Sequence, residues 1–196
     1  MLDNFWFNVR YGIDHILNVY AYHHLLFLIV LSVPFLFKDW KRLLLLVSLF
    51  TLGHTLSLLM AVYGIIKVNL KLIDFLIPLI ILVVALYNVF TAGKKATSEK
   101  IGILFLSSLF FGLVHGLGFV GLFSKHINQT IGKLVALLEL ALGIELGQLI
   151  AAFIVVFLGF LCQTIFRFSK RDWVVVLSAV VVGVLIPMLI NNGLFA

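Results

Sequence analysis

The sequence predicts an all-α protein, a polytopic transmembrane helical bundle of about six spans, on three observations. Of its 196 residues, 63% are hydrophobic and only 11% charged, whereas a soluble domain is about 45–50% apolar and about 25% charged. Mean hydropathy is +1.23. Six apolar stretches are long enough to cross a hydrocarbon core about 30 Å thick, which takes roughly 20 helical residues. This composition argues against a water-soluble enzyme, a disordered tail or a DNA-binding domain. Residues 1–196 read as a single integral membrane domain.

The expected spans are about Ile13–Phe37, Leu43–Ile66, Leu72–Ala92, Ile101–Phe123, Leu134–Phe160 and Trp173–Ile190. Residues 1–12, carrying Phe5, Trp6, Phe7 and Tyr11, suit an interfacial segment, because aromatic rings favour the headgroup boundary. They lack the basic-then-apolar pattern of a cleavable signal peptide. The links are short and charged. Those after the first, third and fifth spans hold nine Lys and Arg, against five on the opposite side. Positive charge favours the cytoplasm, so the chain is expected in a cell membrane with both termini outside. The net charge of +6 is thus read as orientation and not as nucleic-acid binding, and membrane lipid is an expected partner. Cys162, the single cysteine, is expected to be inert. The Phe-rich runs are expected to face lipid.

Ionisable residues inside spans carry the functional signal, since each costs about 2.5–3.5 kcal/mol or more at a helix centre unless it faces inward with a partner. The first span holds Asp14, His15, His23 and His24. His54, His115 and Glu145 lie in the second, fourth and fifth, and Gln148 shares a helix face with Glu145. By depth, His24, His54, His115 and Glu145 are expected together near the bilayer midplane. Three imidazoles and a carboxylate suit a divalent transition metal. Thr51, Thr55 and Ser108 are candidates for orienting the imidazoles. Gly112 with Gly116, and Gly143 with Gly147, have the spacing that lets membrane helices pack closely. In one straight helix His15 and His24 point to opposite sides, so either His15 precedes the helix near Gly12 or the two do not share a site; His15 and His23 lie about 80° apart. His126 is expected in a solvated loop.

Four segments in order resemble the HupE/UreJ family of bacterial membrane proteins. They are Gly12–Leu17 continuing to Tyr22–Leu28, Phe50–Leu58, Phe111–Phe119 and Leu142–Gln148. The resemblance implies a six- or seven-helix nickel or cobalt permease, with His15, His24, His54, His115 and Glu145 as metal-linked positions and Asn88 matching a family asparagine. The chain departs from the family pattern at three places. His23 stands where the family has Asp, Ala21 where it has Gly, and Ala141 where it has Asn.

The leading expectation is therefore transport of a nickel- or cobalt-type divalent cation, zinc and iron being compatible with the same donors. Asp14, His15 and Glu139 would form an outer site and Asn88 would lie on the inner path. The alternative is an intramembrane metal-dependent enzyme, hydrolase-like, that holds a catalytic metal and its water at the same cluster. Haem ligation by paired histidines is a third reading, with no facing two-histidine repeat to favour it.

Overall fold

The computed structural model describes residues 2–93, 98–127 and 132–192. Among these residues every regular element is helical: α1 (Leu2–Leu17), α2 (His23–Ser32), α3 (Trp40–Val62), α4 (Leu70–Thr91), α5 (Ser98–Gly118), α6 (Val120–His126), α7 (Lys133–Thr164) and α8 (Lys170–Ile190), with single 3-10 turns at Val19–Ala21 and Phe37–Asp39. Four stretches are long and apolar enough to cross a membrane: Phe37–Val62, Leu70–Thr91, Lys133–Thr164 and Lys170–Ile190. They correspond to the expected second, third, fifth and sixth spans.

The expected first and fourth spans are not continuous helices. Asn18 ends α1 because its side-chain oxygen accepts from the Tyr20 N–H at 2.9 Å. This local bond competes with the next helical turn. The chain turns through Val19–Ala21 before α2 begins at His23, and Pro34 follows closely after α2. The fourth stretch breaks at Phe119, within a run containing Gly116, Gly118 and Gly121, where low helix propensity weakens the backbone. The apolar helices left on the N-terminal side of each break, or after it, are short: His23–Ser32 and Gly102–Gly118.

Each long helix has a local reason to start or stop. Asn69 caps α4 by accepting from Leu72 N–H, and Ser169 caps α8 by accepting from Asp172 N–H. Gly64 and Gly93 follow α3 and α4 at φ 72° and 81°, a conformation that glycine adopts without strain. The third link's Lys94 and Lys95 lie outside the described residues, as does the side chain of His126, the last residue of α6.

The most extensive packing joins α3 to α5, α1 to α7 and α4 to α8. α2 sits inside, against α4, α7 and α8; His24 and most of its apolar residues are buried, as expected of a helix that is apolar all round. The glycine spacings account for the two closest pairs. A Cβ at Gly112 or Gly116 would strike the Phe50 or His54 carbonyl of α3, and one at Gly143 would strike Val9 of α1. Residues 2–17 are thus one helix seated on α7. The phenylalanines divide: Phe27, Phe50, Phe111, Phe119 and Phe123 are core, while Phe90, Phe153, Phe157 and Phe160 are exposed on the outer face. The reading of all Phe-rich runs as lipid-facing is corrected accordingly.

Candidate metal centre

The two broken stretches meet at their breaks. His15 lies in the last turn of α1, His23 and His24 open α2, and His115 lies in the last turn of α5. The rings of His15 and His24 are 4.4 Å apart. The opposition expected of one straight helix vanishes because the chain turns between them, although His15 is itself helical. His15, His24 and His115 each offer a nitrogen, and the three nitrogens lie within 4.8 Å of one another.

His24 fixes the arrangement. Its Nδ1–H donates to the Ala21 carbonyl at 2.9 Å, which leaves Nε2 as the lone pair of a neutral ring. That Nε2 faces His115 Nε2 at 2.7 Å. Further imidazoles surround the pair: His23 stands 4.2 Å from His24 and 5.2 Å from His115, ring centre to ring centre, and His54 stands 5.6 Å from His115. Among the described residues His15 Nε2, His54 Nε2 and His115 Nδ1 are buried with no hydrogen-bond partner. Buried polar atoms are normally paired, so unpaired nitrogens on three neighbouring rings leave imidazole donors free for a metal ion. The residues present fit such an ion.

Aromatic rings bound the cluster. Phe119 lies 4.5 Å from His15 and 5.6 Å from His54. Phe111 stacks on Phe27 at 3.9 Å and sits 5.7 Å from His115, and Phe50 closes the same floor 5.5 Å from Phe111. On the other side a cavity of about 380 Å³ reaches His15, His23 and His115. Asp14 and Asp74 also line this cavity. Both are exposed, and Asp14 pairs with Arg10 at 3.6 Å. Asp74, in the first turns of α4, is not among the sequence-derived candidates; an acid inside a predicted span was the available signal.

Glu145 lies elsewhere. Its carboxylate accepts from Ser48 Oγ at 2.6 Å and from Thr51 Oγ1, and Gln148 Oε1 lies 3.2 Å from the same Thr51 hydroxyl. Thr51 is midway along α3, so this group sits about one turn from His54, away from the cavity. The structure therefore brings His15, His23, His24, His54 and His115 together, and places Glu145 with α3 hydroxyls instead. Ser48 was not anticipated, although Ser48, Thr51 and Thr55 follow helical spacing on α3. Ser108 donates to the Leu46 carbonyl at 2.6 Å, and Thr55 is half-buried one residue beyond His54. Glu139 accepts from Asn8 Nδ2 at 2.8 Å, between α1 and α7. Asn88 donates to the Val30 carbonyl at 2.6 Å, between α4 and α2.

The family described as HupE / UreJ protein matches residues 1–191. The chain belongs to the HupE/UreJ family. No curated protein and no solved structure matches it. In this HupE/UreJ chain two of the three departures noted above, His23 and Ala21, fall at the centre itself. His23 adds an imidazole beside His24, and the Ala21 carbonyl is the group that orients the His24 ring. With four helices able to cross a bilayer, family and composition together mark a membrane protein.

Proposed function

We propose that this HupE/UreJ protein carries a divalent transition-metal cation across the membrane, with the ion as substrate held by His15, His24 and His115 and with His54 and His23 beside them. One observation carries the reading: three nitrogens converge within 4.8 Å where two helices are interrupted. Broken backbone at membrane depth is tolerated where it is buried or lines a cavity, and transporter sites use such breaks. Imidazole donors suit nickel and cobalt, the cargo that the family resemblance implies.

The ion would arrive through the cavity bearing Asp14 and Asp74, whose charge favours a cation. By the charge of the links this is the outer end. The Phe27, Phe50 and Phe111 floor closes the inner side, as an apolar constriction that yields when the helix ends shift. The Glu145 group, with Ser48, Thr51 and Gln148, is the next polar station along α3 and α7.

The test is metal analysis of the purified chain beside His24→Ala and His115→Ala, followed by nickel and cobalt uptake into proteoliposomes. Exchangeable ion and uptake in the wild type, both lost in each variant, support the proposal. An ion that survives chelation with no uptake would replace it by the enzyme reading, and unchanged metal content in both variants would remove the site.

A further inference from the structure

A second cavity, of about 500 Å³, opens at the end of the bundle opposite the histidines. Four elements converge on it. Lys38 comes from the turn before α3, Arg42 from the first turn of α3, and Lys170 and Arg171 from the start of α8; Thr91 adds a hydroxyl from the end of α4. Among the described residues Asp39 is the one carboxylate that lines it. That carboxylate is already engaged, accepting from Leu36 N–H at 3.2 Å and lying 3.6 Å from Arg42. Asp172, next along α8, is taken by Ser169, whose hydroxyl donates to it at 2.6 Å. Among the described residues neither Lys38, Lys170 nor Arg171 has a carboxylate oxygen within 4 Å.

Four cations against one carboxylate leave an excess of positive charge around one space, which a further anion would offset. The space is walled, not a flat charged face, and Arg171 is laid across Gly93, where an added Cβ would come within 3.1 Å of its Cδ. The neighbouring residues fix the level of the cavity. Phe37 and Trp40 alternate with Lys38 and Arg42 and are exposed, which is the pattern of a headgroup boundary.

We propose that this cavity binds a phosphate group, as carried by the headgroup of an anionic phospholipid. A phosphate oxygen array matches lysine and arginine donors arriving from different directions, and basic pockets between membrane helices are suited to anionic headgroups. The site is independent of the metal centre and of whether the chain transports anything.

The full-length chain in detergent is titrated with phosphatidylglycerol, phosphatidylcholine and inorganic phosphate, and bound ligand is read by native mass spectrometry. Phosphatidylglycerol binds in preference to phosphatidylcholine. The double variant Lys170→Gln/Arg171→Gln weakens it about 25-fold, given about fivefold for each cation near a membrane surface. Lys41→Gln, whose ammonium lies over the Trp40 ring and outside the cavity, leaves binding unchanged. Binding of inorganic phosphate that the double variant abolishes supports the site and assigns it a soluble ligand. If the double variant does not fold, Lys38→Gln is read instead, with about fivefold weaker binding expected. Equal retention of both lipids, or a loss as large in Lys41→Gln as in the cavity variants, overturns the proposal.

Discussion

His24 and His115 meet nitrogen to nitrogen, 2.7 Å apart, across the ends of two interrupted helices. Only one of those nitrogens holds a proton. Because His24 spends its Nδ1–H on Ala21, the shared proton belongs to His115, whose Nδ1 is then a bare acceptor with no partner. An ion between the two rings would take both Nε2 lone pairs, with the His115 proton moved to its Nδ1. With metal–nitrogen bonds of about 2.0–2.1 Å in a tetrahedral site, the two nitrogens would stand about 3.3 Å apart. The pair therefore needs to open by only a fraction of an ångström. Removing either ring removes a ligand, and loss of even an outer partner costs about 10–100-fold in metal affinity. His24→Ala and His115→Ala should each weaken nickel or cobalt binding by at least about 100-fold, read by isothermal titration; a change below about tenfold in both would take the ion away from this pair.

Protons compete with the metal for the same lone pairs. A protonated imidazole cannot be a ligand, so affinity falls as pH falls and recovers as pH rises. With several imidazoles involved, log affinity should change by more than one per pH unit once these rings begin to protonate. The measurement is a series of metal titrations from pH 8 downward on the same preparation, as far as circular dichroism shows the fold intact. A fall no steeper than one log unit per pH unit would reduce the ligand set to a single titrating ring.

Much of the fold was legible because lipid permits few structures: every backbone group must be bonded internally, so apolar length alone located α3, α4, α7 and α8. The breaks were harder to see. Asn18 sits in an apolar, helix-length stretch, and only its bond to Tyr20 shows that it ends α1. The histidines could be chosen by their cost in lipid, but their depth was inferred from straight helices. Once Asn18 bends the chain, His15 and His24 join one cluster. Glu145, matched to His54 by position in its own span, instead stands level with Ser48 and Thr51. Spacing within a helix is local information; the offset between helices is set by packing such as Gly116 against His54.

That packing leads to a stability prediction. A methyl at Gly116 would meet the His54 carbonyl and the Ser57 hydroxyl, and the first is backbone that cannot rotate away. Gly116→Ala should destabilise the chain by about 1–3 kcal/mol, the usual range for overpacking, and lower metal affinity with it because His115 is adjacent. Gly183→Ala in α8 meets nothing within 4 Å and should stabilise by about 0.5–1 kcal/mol, the helix-propensity difference. Thermal unfolding in one detergent checks both, and the argument fails if the two variants shift in the same direction.

Glu145 gives a separable outcome. Its oxygens accept from Ser48 and Thr51, and among the described residues none of its hydrogen bonds involves an imidazole. Glu145→Gln keeps an acceptor for one hydroxyl but removes the charge. Metal stoichiometry at the histidines should therefore remain as in the wild type, while uptake falls at least about tenfold if the ion passes this group. Loss of bound metal in Glu145→Gln would return the carboxylate to the ligand set.

The mouth of the histidine cavity should govern how fast ions arrive and not how they are held. Asp14 and Asp74 are exposed there, so their influence is long-range attraction, which salt screens over about 10 Å at 0.1 M. The Arg10 partner of Asp14 offsets part of that attraction, so Asp74→Asn should have the larger effect. In proteoliposomes at low ionic strength, Asp14→Asn/Asp74→Asn should raise KM for the cation several-fold with kcat unchanged. At 0.5 M salt the double variant and the wild type should converge, because a steering charge is then hidden from the approaching ion. If the difference persists at high salt and kcat falls too, these carboxylates touch the ion directly, and the ligand set extends from the histidines into the mouth.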